Sequence, residues 1–186
     1  LMSIIQKLKV SSAEIKKITC LTPPGGLIPL KFPKPKTHFE SLFSLPYALA
    51  VTALDEMPGL RSFQQERVLS GDVADMLKRI EVVESQLCVA DYPDYDSKSY
   101  GSRGEVRVTV ETNDGRVESL HVTFAPGHPN RQMTWAQAEM KFVGCLEAAG
   151  FTVVRAAKIF PQIRDIEELS MFGSLVSQLI LTKDEK

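Results

Sequence analysis

A pair of alternating apolar segments between residues 105 and 124 constrains the fold of this chain more than any other feature. Each segment has a large apolar side chain at every second position, and these are Val106, Val108 and Val110 on the first segment and Leu120, Val122 and Phe124 on the second. A period of two places each set on one face of a β-strand. Because Asn113-Asp114-Gly115 lies between the segments, the pattern predicts an antiparallel hairpin.

The loop length of this hairpin decides whether its two apolar sets share a face. A two-residue Asp114-Gly115 turn would pair Val110 with Ser119 and place the sets on opposite faces. A three-residue loop pairs Val110 with Glu118 instead, and the two sets then coincide. Gly115 also suits the left-handed position that such loops need. We therefore predict the three-residue loop, with Val108 opposite Leu120 and Val106 opposite Val122.

Further strands and helices are predicted on the N-terminal side of the hairpin. Strands are expected over Ile15–Thr22 and Arg79–Glu84, with short helices near residues 64–69 and 72–78. Phe39–Leu54 has apolar residues at helical spacing, with a break near Pro46 because proline is tolerated only in a first helical turn. Ser44 is the expected N-cap of its second part. Residues 91–104 are polar and rich in turn formers, which predicts an exposed loop.

Two more helices are predicted towards the C-terminus. Thr134 and Gln137 have the spacing of a capping box, and the apolar stripe that follows them ends at Gly150. The last helix is amphipathic, with an apolar stripe made of Leu169, Phe172, Val176, Leu179 and Ile180. A shorter stripe of the same kind occupies residues 1–8. Such stripes need a partner surface to cover them.

These elements predict a single domain of the α+β class. We expect a small antiparallel sheet with a central β-hairpin packed against helices, followed by a C-terminal amphipathic helix. The length of 186 residues is enough to bury a hydrophobic core. No apolar run approaches the ~18–20 residues that cross a bilayer, so no membrane association is expected.

Charge and cysteine content narrow the function classes. Lysine plus arginine (22) nearly balances aspartate plus glutamate (23), and no basic run is interleaved with aromatic residues. We therefore expect no nucleic-acid partner. The three cysteines are widely spaced and form no CxxC pair, which favours reduced thiols and a location in the cytoplasm or the mitochondrial matrix.

Three residues are candidates for chemistry. His38 follows a lysine-rich loop and precedes a predicted helix, and it is the histidine best placed for acid–base work. Lys31 on that loop offers a cationic contact to a small carboxylate ligand, and Tyr47 on the helix is the third candidate. The alternative for the loop lysines is simple solvation.

No metal or cofactor is expected. His38, His121 and His128 lack the spacing of metal ligands, both among themselves and with cysteine or acidic residues. His121 falls on the polar face of the hairpin, and His128 lies in a proline-glycine turn. The sequence also has none of the glycine-rich motifs that bind nucleotides or flavins.

Several segments resemble, in order, the C-terminal part of the MmgE/PrpD family. Phe43-Ser44-Leu45-Pro46-Tyr47 with Ala50 is similar to the family's FSLPY…A helix, and the segment Gly104–Phe124 is similar to its hairpin. Gly127-His128-Pro129, Met133-Thr134 and Lys141-Phe142 resemble the segment that follows. The family includes 2-methylcitrate dehydratases and cis-aconitate decarboxylases, which act on small polycarboxylates without a cofactor.

The resemblance implies a lid-type domain of a polycarboxylate lyase. In that family a large helical domain carries most active-site residues, and a smaller α+β domain closes the cleft. A lysine and a histidine five residues apart open the smaller domain, and this chain is expected to begin after them. No family catalytic residue is therefore assigned, and inactivity by that mechanism alone is expected. Residues 1–165 would form the lid part, and residues 166–186 a terminal helix that packs on the large domain.

Two alternatives to an inactive lid stay open. One is a free-standing enzyme, recruited as a lyase, isomerase or cyclase, that uses His38, Lys31 and Tyr47. The other is a regulatory subunit that binds a full-length relative. The expected partner is a second copy of the chain or a large helical domain, since the apolar stripes at both ends would otherwise be exposed.

Overall fold

A four-stranded mixed sheet organises the N-terminal part of the chain. The computed structural model describes residues 1–55, 57–89 and 105–181. These residues form two compact units, divided between Ala125 and Pro126. In the first unit the sheet has the order β2-β1-β3-β4, and its strands are β1 (Ile15–Thr22), β2 (Ile80–Glu84), β3 (Val106–Thr112) and β4 (Val117–Val122). The loop predicted at 91–104 lies outside the described residues.

The predicted hairpin register is confirmed. Strands β3 and β4 are antiparallel, with Val110 opposite Glu118, Val108 opposite Leu120 and Val106 opposite Val122. Gly115 has a φ of 86° in the loop, which is the left-handed conformation that glycine adopts without a steric penalty. The apolar face of β3 is buried, so the match between apolar faces selects this register.

Five helices accompany the sheet in the described part of the first unit: α1 (Met2–Leu8), α2 (His38–Leu42), α3 (Leu45–Leu54), α4 (Gln65–Val68) and α5 (Gly71–Leu77). The predicted break in the Phe39–Leu54 helix is therefore present. Ser44 is the N-cap of α3, since its side chain accepts a hydrogen bond from the Tyr47 N–H. Pro46 lies in the first turn of α3, where its missing N–H costs nothing.

The α+β class is confirmed, but the sheet is mixed where the prediction had it antiparallel. Strand β1 pairs antiparallel with β3 and parallel with β2. A parallel pair needs a crossover of a dozen or more residues. Helices α2 to α5 lie in the connection between β1 and β2 and supply that crossover.

Helix α3 lies between two hydrophobic clusters, which explains why it is apolar on every side. Leu49 and Ala50 belong to a main core built on β1 and β3. Tyr47 and Val51 belong to a smaller cluster with Val68 and Val73 from α4 and α5. The helix therefore fixes the positions of α2, α4 and α5 relative to the sheet.

The apolar stripe of α1 is covered within its own unit, contrary to expectation. Ile4 is 2% exposed and belongs to the main core. Leu1, Ile5 and Leu8 pack against the same core. Lys7 also binds Glu118 on β4 at 2.7 Å. This helix therefore needs no partner chain to bury its stripe.

The second unit contains three helices among its described residues: α6 (Trp135–Ala148), α7 (Val153–Arg164) and α8 (Phe172–Gln178). The predicted Thr134–Gln137 capping box opens α6, and Gly150 with a φ of 99° follows its end. Helix α7 was missed from the sequence. It supplies most of the buried residues of this unit, including Ala156, Ile159 and Phe160.

The stripe predicted for the last helix does not become a buried face of this unit. Helix α8 is short, and its buried side chain is Leu175, which lies off the predicted stripe. Phe172 and Ile180 remain 60% and 62% exposed. Arg155 of α7 holds the end of α8 by donating to the carbonyl oxygens of Gln178 and Ile180 at 2.9 and 2.8 Å.

Candidate functional site

The strongest candidate site in the first unit is the exposed helix α2 with the loop that leads into it. Thr37 caps α2, because its hydroxyl accepts a hydrogen bond from the Glu40 N–H at 3.2 Å. His38 is the first residue of the helix, and its ring is exposed. The cap therefore presents a histidine as the first residue of the helix, whereas the sequence predicted it just before the helix.

The ring of His38 is oriented by a backbone group. Its Nδ1 lies 2.6 Å from the carbonyl oxygen of Phe63. A carbonyl only accepts hydrogen bonds, so Nδ1 carries the proton and donates it. In the neutral ring Nε2 is then the acceptor, available to a proton donor from outside. This geometry fits a proton acceptor or a hydrogen-bonding contact to a ligand.

Gln65 locks the backbone on both sides of the α2 cap. Its Oε1 accepts from the His38 N–H at 2.9 Å, and its Nε2 donates to the Lys36 carbonyl at 2.8 Å. The loop therefore enters α2 at a fixed angle. Sequence reasoning missed this residue, because its two partners lie nearly thirty positions earlier and no local pattern links them.

Tyr47 lies inside the unit and not on the candidate surface. Its side chain is fully buried, and its hydroxyl donates to the Ser62 carbonyl at 2.5 Å. Its ring packs against Phe63 with centroids 5.6 Å apart. Burial raises the pKa of Tyr47 to about 12, since the phenolate would lose its solvation. The residue is thus a neutral hydrogen-bond donor that ties α3 to the turn that orients His38.

Lys31 lies on the loop near the C-terminal end of α2. Lys31 is exposed and precedes Phe32, whose N–H donates to the Phe43 carbonyl at 3.3 Å just after α2. His38 is at the start of the same five-residue helix. With a rise of about 1.5 Å per residue, the two ends are roughly 7 Å apart. Lys31 and His38 therefore flank the two ends of one short helix.

The outer face of α2 is apolar and exposed. Phe39 is 64% exposed, Leu42 49% and Phe43 39%. The rings of Phe39 and Phe43 are in contact, with centroids 5.1 Å apart. Adjacent apolar side chains that remain in water often mark an interaction site. We call His38, Phe39, Leu42 and Phe43 the α2 surface.

The same unit also contains an ion cluster centred on Arg67. Arg67 binds Asp55 at the end of α3 at 2.5 Å and Asp72 of α5 at 2.8 Å. Hydrogen bonds to Asp55 raise the pKa of Arg67, and the hydrogen bond from Arg67 lowers the pKa of Asp72. The cluster therefore joins the end of α3 and helix α4 to α5.

The described residues contain no group of three or more histidine, cysteine or acidic side chains that could hold a metal ion. His121 contacts the carboxylate of Glu105, and the His128 Nδ1 accepts from the Asn130 N–H at 3.1 Å.

Cys20 and Cys88 are buried, and burial raises the pKa of Cys20 to about 11. Within the described part of the chain, no helix is long and apolar enough to span a bilayer.

The fold and the α2 surface together define an α+β domain with an exposed, histidine-containing apolar helix. The family model of the MmgE/PrpD C-terminal domain matches residues 1–160. The chain therefore belongs to the MmgE/PrpD family and represents its C-terminal domain. No curated protein matches the chain significantly.

Proposed function

We propose that this chain is the lid-type part of a polycarboxylate lyase and that the α2 surface faces the cleft that it closes. The proposal combines family membership with one structural observation, which is an oriented, exposed histidine next to an uncovered apolar helix face. The catalytic residues would come mainly from a large helical domain. This chain would exclude water and supply polar contacts.

The apolar part of the α2 surface supports docking onto a second domain. Burying Phe39, Leu42 and Phe43 would stabilise a complex by roughly 1.5–3 kcal/mol for each side chain that becomes fully covered. Their exposed fractions show that much of this area is still available. Domain closure also removes water from the polar groups inside a cleft, which strengthens their interactions.

His38 supports a role at the rim of the cleft. Its Nδ1 is held by a carbonyl, so the ring does not need to find its orientation when a ligand arrives. A protonated ring would pair with a substrate carboxylate, and a neutral ring would accept a hydroxyl proton. Lys31, near the far end of α2, would add a second positive contact.

Reconstitution tests this function. The partner is a truncated family member that contains the large helical domain and ends just after the lysine–histidine motif. The substrates are cis-aconitate and 2-methylcitrate. Adding this chain should raise turnover, and His38→Ala should lower kcat/KM roughly ten-fold, as expected for one lost charge-assisted hydrogen bond. His121→Ala, which removes a histidine from the sheet, is the matched control. Turnover that is unchanged when the chain is added would refute the proposal.

A second function is favoured by the geometry of His38, namely catalysis by this chain alone. A general base with a fixed tautomer needs no helical domain to be poised for proton transfer. The chain alone would then turn over a small carboxylic acid, and His38→Ala would abolish that activity without lowering stability. Full activity of this variant would remove His38 as the base. A regulatory role on a full-length relative would appear instead as inhibition in the reconstitution assay.

A further inference from the structure

A cleft separate from the α2 surface opens between the proline-rich loop and strand β2. Its volume is about 190 Å³. Its walls come from the loop, the first turn of α3, the end of α5 and β2, and they include Leu30, Pro33, Pro46, Leu77 and Val82. Among the described residues that line it, Lys34 alone carries a charge. The cleft therefore combines an apolar wall with a single cation.

The loop side of this cleft is held in place by several contacts. The Leu27 N–H donates to the Glu84 carboxylate at the end of β2 at 3.1 Å. Further along the loop, Phe32 is bonded to the Phe43 carbonyl. Gly26 lies in a tight turn, where an added Cβ would approach the Pro23 carbonyl to 2.9 Å. Because these contacts anchor the loop on both sides of Leu30, the cleft is formed before a ligand binds.

The lining selects against the polycarboxylates of the proposed function. A tricarboxylate would bring several charges against apolar walls that offer one ammonium group. Burying an unpaired carboxylate is strongly unfavourable. An acid with one carboxylate and an apolar tail avoids this cost, because its tail lies on the leucine and valine side chains and its charge meets Lys34. The volume holds roughly six groups of water size at about 30 Å³ each.

We propose that this cleft binds a short-chain monocarboxylate of about four to six carbons. The carboxylate pairs with Lys34, and the tail packs against Leu77 and Val82. This assignment is independent of the lid function, because it uses different residues and a different class of ligand. It gives the chain a second small-molecule site, suited to an apolar acid.

A titration followed by amide chemical shifts tests the proposal, with propionate, butyrate, hexanoate and citrate as probes. Each methylene buried in the cleft should tighten binding about four-fold, the factor that corresponds to about 0.8 kcal/mol. The shifts should concentrate on Leu30, Leu77 and Val82. An affinity that does not increase with chain length, or citrate that binds as tightly as hexanoate, would overturn the proposal.

Two matched pairs of variants identify the site. Lys34→Gln should weaken hexanoate binding about three- to five-fold, as expected for a partly exposed ion pair. Lys31→Gln, on the same loop but outside the lining, should leave it unchanged. Val82→Phe should fill the cleft and abolish binding, whereas Val83→Phe on the opposite face of β2 should not. If the first pair shows equal losses, Lys34 is not the carboxylate partner. The comparison of Lys34→Gln with Lys31→Gln tests the assignment of the site even if Val82→Phe fails to fold.

Discussion

His38 and Tyr47 donate hydrogen bonds to consecutive carbonyl oxygens, those of Phe63 and Ser62, at 2.6 and 2.5 Å. One donor is exposed at the start of α2, and the other is fully buried in α3. The same short turn thus connects the candidate surface to the core. Removing the His38 side chain should therefore affect function but not stability, whereas removing the Tyr47 hydroxyl should lower stability.

Tyr47→Phe should lower the free energy of unfolding by about 1–3 kcal/mol, because the buried Ser62 carbonyl loses its donor while the ring remains. Urea denaturation measures this directly. His38→Ala is the control and should change stability by less than about 0.5 kcal/mol, since its ring is exposed. Equal losses for the two variants would mean that the turn is held by something other than the tyrosine.

The buried phenol also predicts a dependence of stability on alkaline pH. Tyr47 has its pKa raised to about 12 from an ordinary value of 10.0. The folded state thus holds the proton more tightly than the unfolded state. The contribution of Tyr47 is fully present below about pH 10 and is lost as pH rises towards 12. Tyr47→Phe should lack this component of the pH profile, and an identical profile for both proteins would contradict it.

The Arg67 cluster should be a stability element of the first unit. Arg67→Ala leaves Asp55 without its closest partner, so we expect a loss of about 1–3 kcal/mol. Lys78→Ala removes an exposed pair with Asp75 and should cost less than about 0.5 kcal/mol. Because Arg67 lowers the pKa of Asp72, the stabilisation from that pair should weaken as pH falls below the carboxylate's ordinary value of 3.8. If Arg67→Ala lowers the free energy of unfolding no more than Lys78→Ala does, the cluster is not a stability element.

The hairpin loop should depend on its glycine. Gly115 has a φ of 86°, so Gly115→Ala should lower the free energy of unfolding by about 1 kcal/mol. Gly71, the first residue of α5, has open space around it and lacks a positive φ. Gly71→Ala is therefore the matched control and should be neutral within about 0.5 kcal/mol. Chemical denaturation of both variants measures the difference. If Gly115→Ala costs no more stability than Gly71→Ala, the loop does not depend on a left-handed glycine at position 115.

The hairpin was predictable because two local signals agree. The period of two in the valines and the position of Gly115 both require the three-residue loop. The parallel pairing of β1 with β2 was not predictable in this way, since the two strands are joined through four helices and are brought together by packing in the core. Helix α7 was missed for a local reason. Pro161 lies inside it, and proline in a sequence is a signal of a helix end.

The candidate site was predictable in part. The position of His38 between a lysine-rich loop and a predicted helix indicates an accessible histidine, and the structure places it at an exposed helix start. Its orientation depends on Phe63 and Gln65, which no local pattern connects with it. Tyr47 was a candidate by residue type, but the apolar surroundings of α3 bury it. Contacts across a fold of this kind depend on tertiary packing, and a sequence pattern does not encode them.

Light scattering of the purified chain, alone and mixed with a large helical domain of the family, tests the central claim most directly. We predict a complex of one chain with one helical domain, weakened by Phe39→Ser on the α2 surface and unaffected by Val117→Ser at a similarly exposed position (60%) on β4. A homodimer of the chain alone, broken by Phe172→Ser, would support the predicted self-association through the last helix instead. If the helical domain is not bound, or if Phe39→Ser binds it equally well, the α2 surface is not the closing face of a lid.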